Sequence, residues 1–153
     1  MDKKDKEILY LLQRDATLSV NDVAERVGLS TTPCWRRIQS LEKSGVLTRR
    51  VALADPEKLG LGMTVFVQVK AGRHDSSWLA AFAAHAEQLE EVLEFYRMSG
   101  EYDYMLKVVV ADMKAFDVFY KKLVNGIALS DVTSSFAMEQ IKYTTALPVS
   151  QIA

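Results

Sequence analysis

Only two residues, Gly28 and Leu29, separate two amphipathic helix-period segments, and so short a connection forces the two helices to pack on each other at a steep angle. The first segment opens at Ser19, a capping residue with Asp22 three places on. It then carries Val20, Val23, Ala24 and Val27 at i, i+3, i+4, i+7 spacing before Gly28 closes it. The second runs from Ser30 to Lys43. The Ser30 hydroxyl is expected to cap it, Pro33 falls in its first turn, and Gly45 is placed to end it. At 100° per residue, Cys34, Ile38 and Leu41 form a narrow apolar stripe, while Thr32, Arg36, Gln39, Ser40 and Lys43 point roughly the other way. An earlier helix over residues 4–14 turns Ile8, Leu9 and Leu12 inward, with Tyr10 and Leu11 widening its apolar face. The pattern predicts a helix-turn-helix with Ser30–Lys43 as its second, recognition helix.

After Gly45, residues 46–53 are β-prone and basic and predict a small wing beside the helices. Asp55-Pro56 and Gly60-Leu61-Gly62 then break the chain, which gives a helix-turn-helix domain over 1–53, a linker over 54–62 and a second domain over 63–153. In the second domain, residues 63–70 alternate, with Met63, Val65, Val67 and Val69 on one face. Trp78, Leu79, Phe82, Ala83 and Ala86 recur at helical spacing within 76–89. Extended runs over 91–98 and 102–111 flank Gly100 as a hairpin would. Asp112 caps a helix with Phe116, Phe119, Tyr120 and Leu123 inward, Asn125-Gly126 stops it, and a long final strand is expected over 132–145, before Pro148. The fold class is therefore α+β: a winged helix-turn-helix followed by a ferredoxin-like βαββαβ domain with two helices on one face of an antiparallel sheet.

The net charge of −1 is uninformative until the chain is divided. Residues 1–55 hold ten Lys or Arg against eight Asp or Glu, the remainder nine against twelve, and five of the ten basic residues lie between Arg36 and Arg50. A local positive patch on a slightly acidic chain suits double-stranded DNA. No apolar run is long enough to span a bilayer, and the charged start lacks the apolar core of a signal peptide, so a cytoplasmic protein without a membrane partner is expected. Cys34 is the single cysteine and lies on the apolar stripe, a small buried hydrophobe. His74 and His85 have no partner at ligand spacing, so no metal and no cofactor are expected.

Leu29-Ser30-Thr31-Thr32-Pro33-Cys34, followed by Arg37-Ile38, Leu41-Glu42 and Gly45-Val46, resembles the opening of the recognition helix in the Lrp/AsnC family of bacterial transcription regulators. Asp55-Pro56-Glu57-Lys58-Leu59-Gly60 and Gly100-Glu101-Tyr102-Asp103-Tyr104 resemble further motifs of that family, in the same order. The run from Asp131 to Glu139 is similar to the branch containing cysteine-responsive regulators. The resemblance implies a nucleoid-associated regulator that dimerises through its C-terminal sheets and assembles further into octamers or similar rings. It also implies an amino-acid effector, such as cysteine or leucine, bound between neighbouring dimers. A bottom-up reason for association exists as well, because aromatic residues such as Phe66, Tyr96 and Phe136 fall on both faces of a sheet that has helices on only one.

Arg36 is the first choice for base contact, because a guanidinium can meet a guanine edge bidentately; Gln39, Ser40 and Lys43 share its face. Ser30, Thr31 and Thr32 lie where free amides favour a phosphate, and Arg49 and Arg50 add sequence-independent affinity. Trp35 and Arg37 flank the outer face, Trp35 to pack on the first helix or touch DNA, Arg37 to pair with Glu42 or phosphate. An amino-acid effector needs backbone donors for its carboxylate and an acceptor for its ammonium. Met98, Ser99, Gly100, Glu101, Tyr102, Asp103 and Tyr104 can supply these, or can form a plain hairpin turn. The family resemblance favours a pocket completed by Asp112, Thr133, Ser134 and Ser135 of a neighbouring dimer; Glu101 stands where many family members have Asp. Two rivals remain: a C-terminal domain that only dimerises, and an enzyme on the ferredoxin-like fold. No phosphate loop, nucleophile elbow or metal motif supports the enzyme.

Overall fold

The computed structural model describes residues 1–72 and 75–152, so His74 lies outside the described residues. Three helices come first: α1 (Lys3–Leu12), α2 (Val20–Val27) and α3 (Thr31–Lys43). Helix α2 starts on the expected Ser19–Asp22 capping box and ends at Gly28, whose φ of 66° is the left-handed conformation that turns the chain into α3. Ser30 has N-cap backbone geometry, but its hydroxyl caps nothing. The reason is Pro33: it occupies the third helical position, the one whose N–H a capping side chain reaches at Ser19 and Asp2, and proline has no N–H to give.

The expected wing forms no strand. Residues 46–53 have no ladder partner among the described residues, because a single β-prone run has no second strand to pair with; the segment is held instead by Leu47 N–H to the Leu41 carbonyl and by Arg50 to Glu42.

The second unit contains β1 (Met63–Ala71), α4 (Ser76–Glu87), β2 (Val92–Arg97), β3 (Tyr104–Val110), α5 (Met113–Val124) and β4 (Leu129–Phe136). Its strands lie in the order β2-β3-β1-β4, all antiparallel, the arrangement expected of βαββαβ. Val65, Val67 and Val69 face Leu106 and Val108 across the ladder and are buried with Phe82, Phe119 and Leu123 of the two helices. Trp78 is anchored in that layer by its indole N–H on the Ala128 carbonyl at 2.9 Å. A Cβ at position 72 would lie 2.9 Å from the same carbonyl oxygen, so only glycine lets the chain leave β1 there.

The final strand is shorter than expected. β4 pairs with β1 until Phe136 meets Val65, and the last bond runs from Ala137 N–H to the Thr64 carbonyl. β1 itself begins at Met63, so residues beyond 137 have no neighbouring strand to continue with. Residues 141–153 belong instead to the helical unit, which therefore comprises 1–53 and 141–153, whereas the sequence placed them with the sheet. Val149, in a short 3-10 turn (Val149–Gln151), is buried in the same core as Ile8, Leu12, Val23 and Ile38. Gln13, the C-cap of α1, holds the tail from both sides, its amide nitrogen donating to the Leu147 carbonyl at 3.4 Å and its oxygen accepting the Leu147 N–H at 2.8 Å.

Val149→Ala is expected to destabilise the helical unit by about 1.6 kcal/mol, two buried methyl groups at ~0.8 each, and deletion of residues 147–153 by more. Thermal unfolding followed at helical wavelengths measures this; an unchanged midpoint after the deletion would remove the tail from that core.

Candidate DNA interface and effector site

The inner stripe of α3 forms as the periodicity requires: Cys34, Ile38 and Leu41 are buried, and burial pushes the Cys34 thiol up, which keeps it protonated and inert. Around the rest of the helix the side chains divide by what already holds them. Thr31 donates its hydroxyl to Asn21 Oδ1 at 2.9 Å, tying α3 to α2. Glu42 gathers two expected DNA residues, accepting from Gln39 Nε2 at 3.0 Å and Arg50 Nη2 at 3.2 Å. Arg37 pairs with neither Glu42 nor open solvent: its Nη1 lies 2.6 Å from Asp2 Oδ2 and 2.8 Å from Asp5 Oδ1 at the start of α1. Trp35 stands half exposed. Thr32, Arg36, Ser40 and Lys43 remain exposed, with no hydrogen bond or ion pair among the described residues, and Arg49 is exposed beyond them.

In the second unit the hairpin between β2 and β3 is closed by Met98 N–H on the Asp103 carbonyl at 2.7 Å and by Asp103 N–H on the Val69 carbonyl at 3.0 Å. The intervening N–H groups of Ser99, Gly100, Glu101 and Tyr102 make no hydrogen bond among the described residues, and Gly100 is open, with nothing within 4 Å of where its Cβ would be. Asp103, expected to offer its charge to an ammonium, turns an oxygen inward to accept the Ala71 N–H at 2.8 Å. Tyr104 is a correction: it is 6% exposed and sits in the core against Trp78, Phe82 and Phe95, not at the loop surface. Its parity with Leu106, Val108 and Val110 carried that signal.

Thr133, Ser134 and Ser135 divide for the same reason, because successive strand residues point to opposite faces. Thr133 and Ser135 pair with Gln68 and Phe66 on the helix-free face, and Ser134 pairs with buried Val67 on the other. Tyr102 reaches across to this strand, its hydroxyl 2.9 Å from Thr133 Oγ1 and 3.4 Å from Asp131 Oδ2. Lys70 stands beside it, its ammonium 5.6 Å from the Tyr102 ring centroid and 3.9 Å from Glu101. Lys70 and Asp131 were not singled out in the sequence; they meet because the ladder pairs them, a register that local pattern does not show. Asp112 is not at this cluster; it caps α5 by accepting the Ala115 N–H at 2.8 Å. His85 bonds the Lys122 carbonyl at 2.6 Å, joining α4 to α5 as an N–H donor. No group of His, Cys, Asp and Glu suited to a metal occurs among the described residues, and no helix there is long and apolar enough to cross a membrane.

The uncovered sheet face carries exposed Phe66 and Tyr96 beside half-buried Met105 and Val109, crossed by the Lys107–Glu94 pair at 3.1 Å. Tyr96 donates its hydroxyl to Glu94, and that bond, with Lys107 beside it, holds the Glu94 carboxyl below its usual range.

A family model described as the Lrp/AsnC ligand binding domain matches residues 64–147, and one described as winged helix-turn-helix DNA-binding matches residues 1–48. The chain is 57% identical over 150 residues to the DNA-binding transcriptional activator DecR of Escherichia coli strain K12, covering 97% of this chain and 99% of that one. It superposes on the crystal structure of an AsnC family transcriptional regulator from Agrobacterium tumefaciens with a TM-score of 0.97 and 54% identity over 100% of both chains. The structure of a Neisseria meningitidis transcriptional regulator in complex with L-Met matches with a TM-score of 0.93 and 37% identity over 97% of each chain.

The Asp2 carboxyl is held below its ordinary value of 3.8, first by the Asp5 backbone N–H and then by the Arg37 side chain. A depressed folded-state value stabilises fully above 3.8 and is lost as pH falls through the lower value. Wild type should therefore melt above Asp2→Asn at about pH 6, and the gap should narrow progressively as pH falls below 3.8. A gap surviving in strong acid would place its origin elsewhere.

Proposed function

The chain belongs to the Lrp/AsnC family of DNA-binding transcription regulators, and from that premise we propose that α3 reads DNA with its outer face while the hairpin at Gly100 receives an amino acid. Arg36 is the base-reading residue, with Ser40, Lys43 and, on exchange of its Glu42 partner, Gln39 beside it. Thr32 and the amides following Ser30 position a phosphate, Thr31 is held next to them by Asn21, and Arg49, Arg50 and Trp35 add contacts at the flanks. The observation that supports this reading is the division of charge around the helix. Arg37 is neutralised by α1, while Arg36 and Lys43 are left exposed on one side with no side-chain hydrogen bond or ion pair among the described residues.

For the effector, support comes from the unspent N–H groups of residues 99–102, which can receive a carboxylate where Gly100 lets a ligand approach the backbone. Thr133, Ser135, Lys70, Glu101 and Asp131 offer the polar surroundings that an ammonium and a small side chain need. The L-Met complex of the Neisseria protein supports an amino acid as the ligand class, and cysteine or leucine extends that class to this chain. We further propose that the uncovered face around Phe66 and Tyr96 pairs with a second copy in the cytoplasm, and that such dimers build an octamer or a similar ring bearing several recognition helices on one DNA.

Arg36→Ala should weaken binding to a sequence-selected duplex by about 1–3 kcal/mol while changing random-duplex binding far less; equal losses would take Arg36 out of base readout. Wild-type affinity should fall steeply with salt, by about 0.9 log units per log unit of salt for each phosphate contact. A flat dependence would contradict a phosphate-tracking helix. Calorimetry against the twenty amino acids should give heat for cysteine, leucine or methionine, lost in Gly100→Val. Silence across the panel would leave the sheet domain a dimerisation module only.

A further inference from the structure

Arg37 lies in a closed arrangement with the two acidic residues that begin α1. Asp2 Oδ1 accepts the Asp5 N–H at 3.0 Å and Asp5 Oδ2 accepts the Asp2 N–H at 3.0 Å, the reciprocal cap of the helix. The second oxygen of each carboxylate is turned on one nitrogen, Arg37 Nη1, at 2.6 and 2.8 Å. All four oxygens are engaged, two in capping the helix and two in gripping the guanidinium. Two carboxylates on one guanidinium leave the cluster with a negative charge, at a helix N-terminus whose dipole favours it. Arg37 and Asp5 are partly buried, at 33% and 19% side-chain exposure, so salt screens this pair less than a surface one.

The position matters because of what else fixes α3. Its inner stripe is narrow and made of Cys34, Ile38 and Leu41 alone, so apolar packing sets the depth of the helix more firmly than its rotation. Arg37 stands at the edge of that stripe and pegs it to α1, one residue from exposed Arg36. An arginine left free at this edge would give sequence-independent affinity for any phosphate within reach.

We propose that Arg37, with Asp2 and Asp5, is a positioning and selectivity device: it sets the rotation of α3 and is withheld from phosphate, so that DNA is met through Arg36 and Lys43. This rests on α3 being the DNA-reading helix. The carboxylates act twice, by occupying the guanidinium and by repelling a phosphate that approaches it, and both effects lower binding to arbitrary DNA more than binding to a matched site.

The test uses the full chain, a random-sequence duplex and a duplex selected from a random pool against the wild-type protein, each titrated over a range of salt. Asp2→Asn with Asp5→Asn keeps good capping residues and frees Arg37. Random-duplex binding should tighten about five- to tenfold at 0.1 M salt and its salt slope should steepen by about 0.9 per bound protomer. The selected duplex should gain less, so discrimination falls. Adding Arg37→Gln to the pair should remove the extra slope and most of the gain; a triple variant that keeps the full gain would assign it to the lost negative charges alone and overturns the proposal. Arg37→Ala alone should lower discrimination without flattening the random-duplex slope. A slope reduced by about 0.9 would make Arg37 a phosphate contact already, and equal losses on both duplexes would make it a fold support only; either result overturns the proposal. Should the Asn pair fail to fold, Arg37→Lys carries the test. It keeps the charge but loses the rigid fork, so random-duplex binding and slope should rise, and no change refutes the device. Arg36→Ala separates the two levels: if it too leaves both duplexes unaffected, the reading of α3 itself has failed.

Discussion

A three-helix unit of about fifty residues buries too little apolar surface to be comfortably stable, and that shortage governs how the helical unit is built. Each helix contributes a narrow stripe: Ile8, Leu9 and Leu12, then Val23, Ala24 and Val27, then Cys34, Ile38 and Leu41. The tail adds Val149 to this core, and Gln13 grips the tail backbone on both its donor and its acceptor. The remaining security comes from polar fasteners at the helix starts, the Ser19–Asp22 box and the Asp2–Asp5 box, the second of which also holds Arg37. The chain thus leaves the helical unit for the sheet domain and returns to it, so the sheet domain is joined to the helical unit at both of its ends.

The sheet domain meets the same requirement with ample material. Strict alternation along β1 and β3 puts Val65, Val67 and Val69 with Tyr104, Leu106 and Val108 under two helices, and leaves the opposite parity to an uncovered face. Residues far apart in the chain are brought side by side on that face by the ladder, as Lys70 is with Asp131 and Gln68 with Thr133. The hairpin that carries Gly100 is fixed at its base by Met98 and Asp103, and the N–H groups at its tip make no hydrogen bond among the described residues. A rigid base with unspent donors above it is what a loop requires to bind a small anionic group without losing its own shape.

Charge on α3 is distributed by partner, not by composition. Counting basic residues between Arg36 and Arg50 finds five, but Arg37 belongs to the carboxylates of α1. The cations of α3 left exposed, Arg36 and Lys43, lie on one side of the helix. On the proposed reading of α3, discrimination benefits from that economy, since each unassigned cation raises affinity for all DNA alike.

The sequence by itself determined the five helices and four strands, their order and the two folds, though not a paired wing after α3, because helix and strand periods, caps and the Gly28-Leu29 turn are local properties that each segment carries with it. It also held the parity that puts Tyr104 in the core and separates Ser134 from Thr133 and Ser135. What only the tertiary structure decided are the long-range choices. β4 stops at Phe136 because β1 starts at Met63, the tail enters the helical core, Arg37 finds Asp2 and Asp5, and Tyr102 bonds Thr133. Each depends on which groups lie within a few ångströms once the chain has closed on itself. A charged or amphipathic residue has several acceptable partners, and sequence spacing does not rank them.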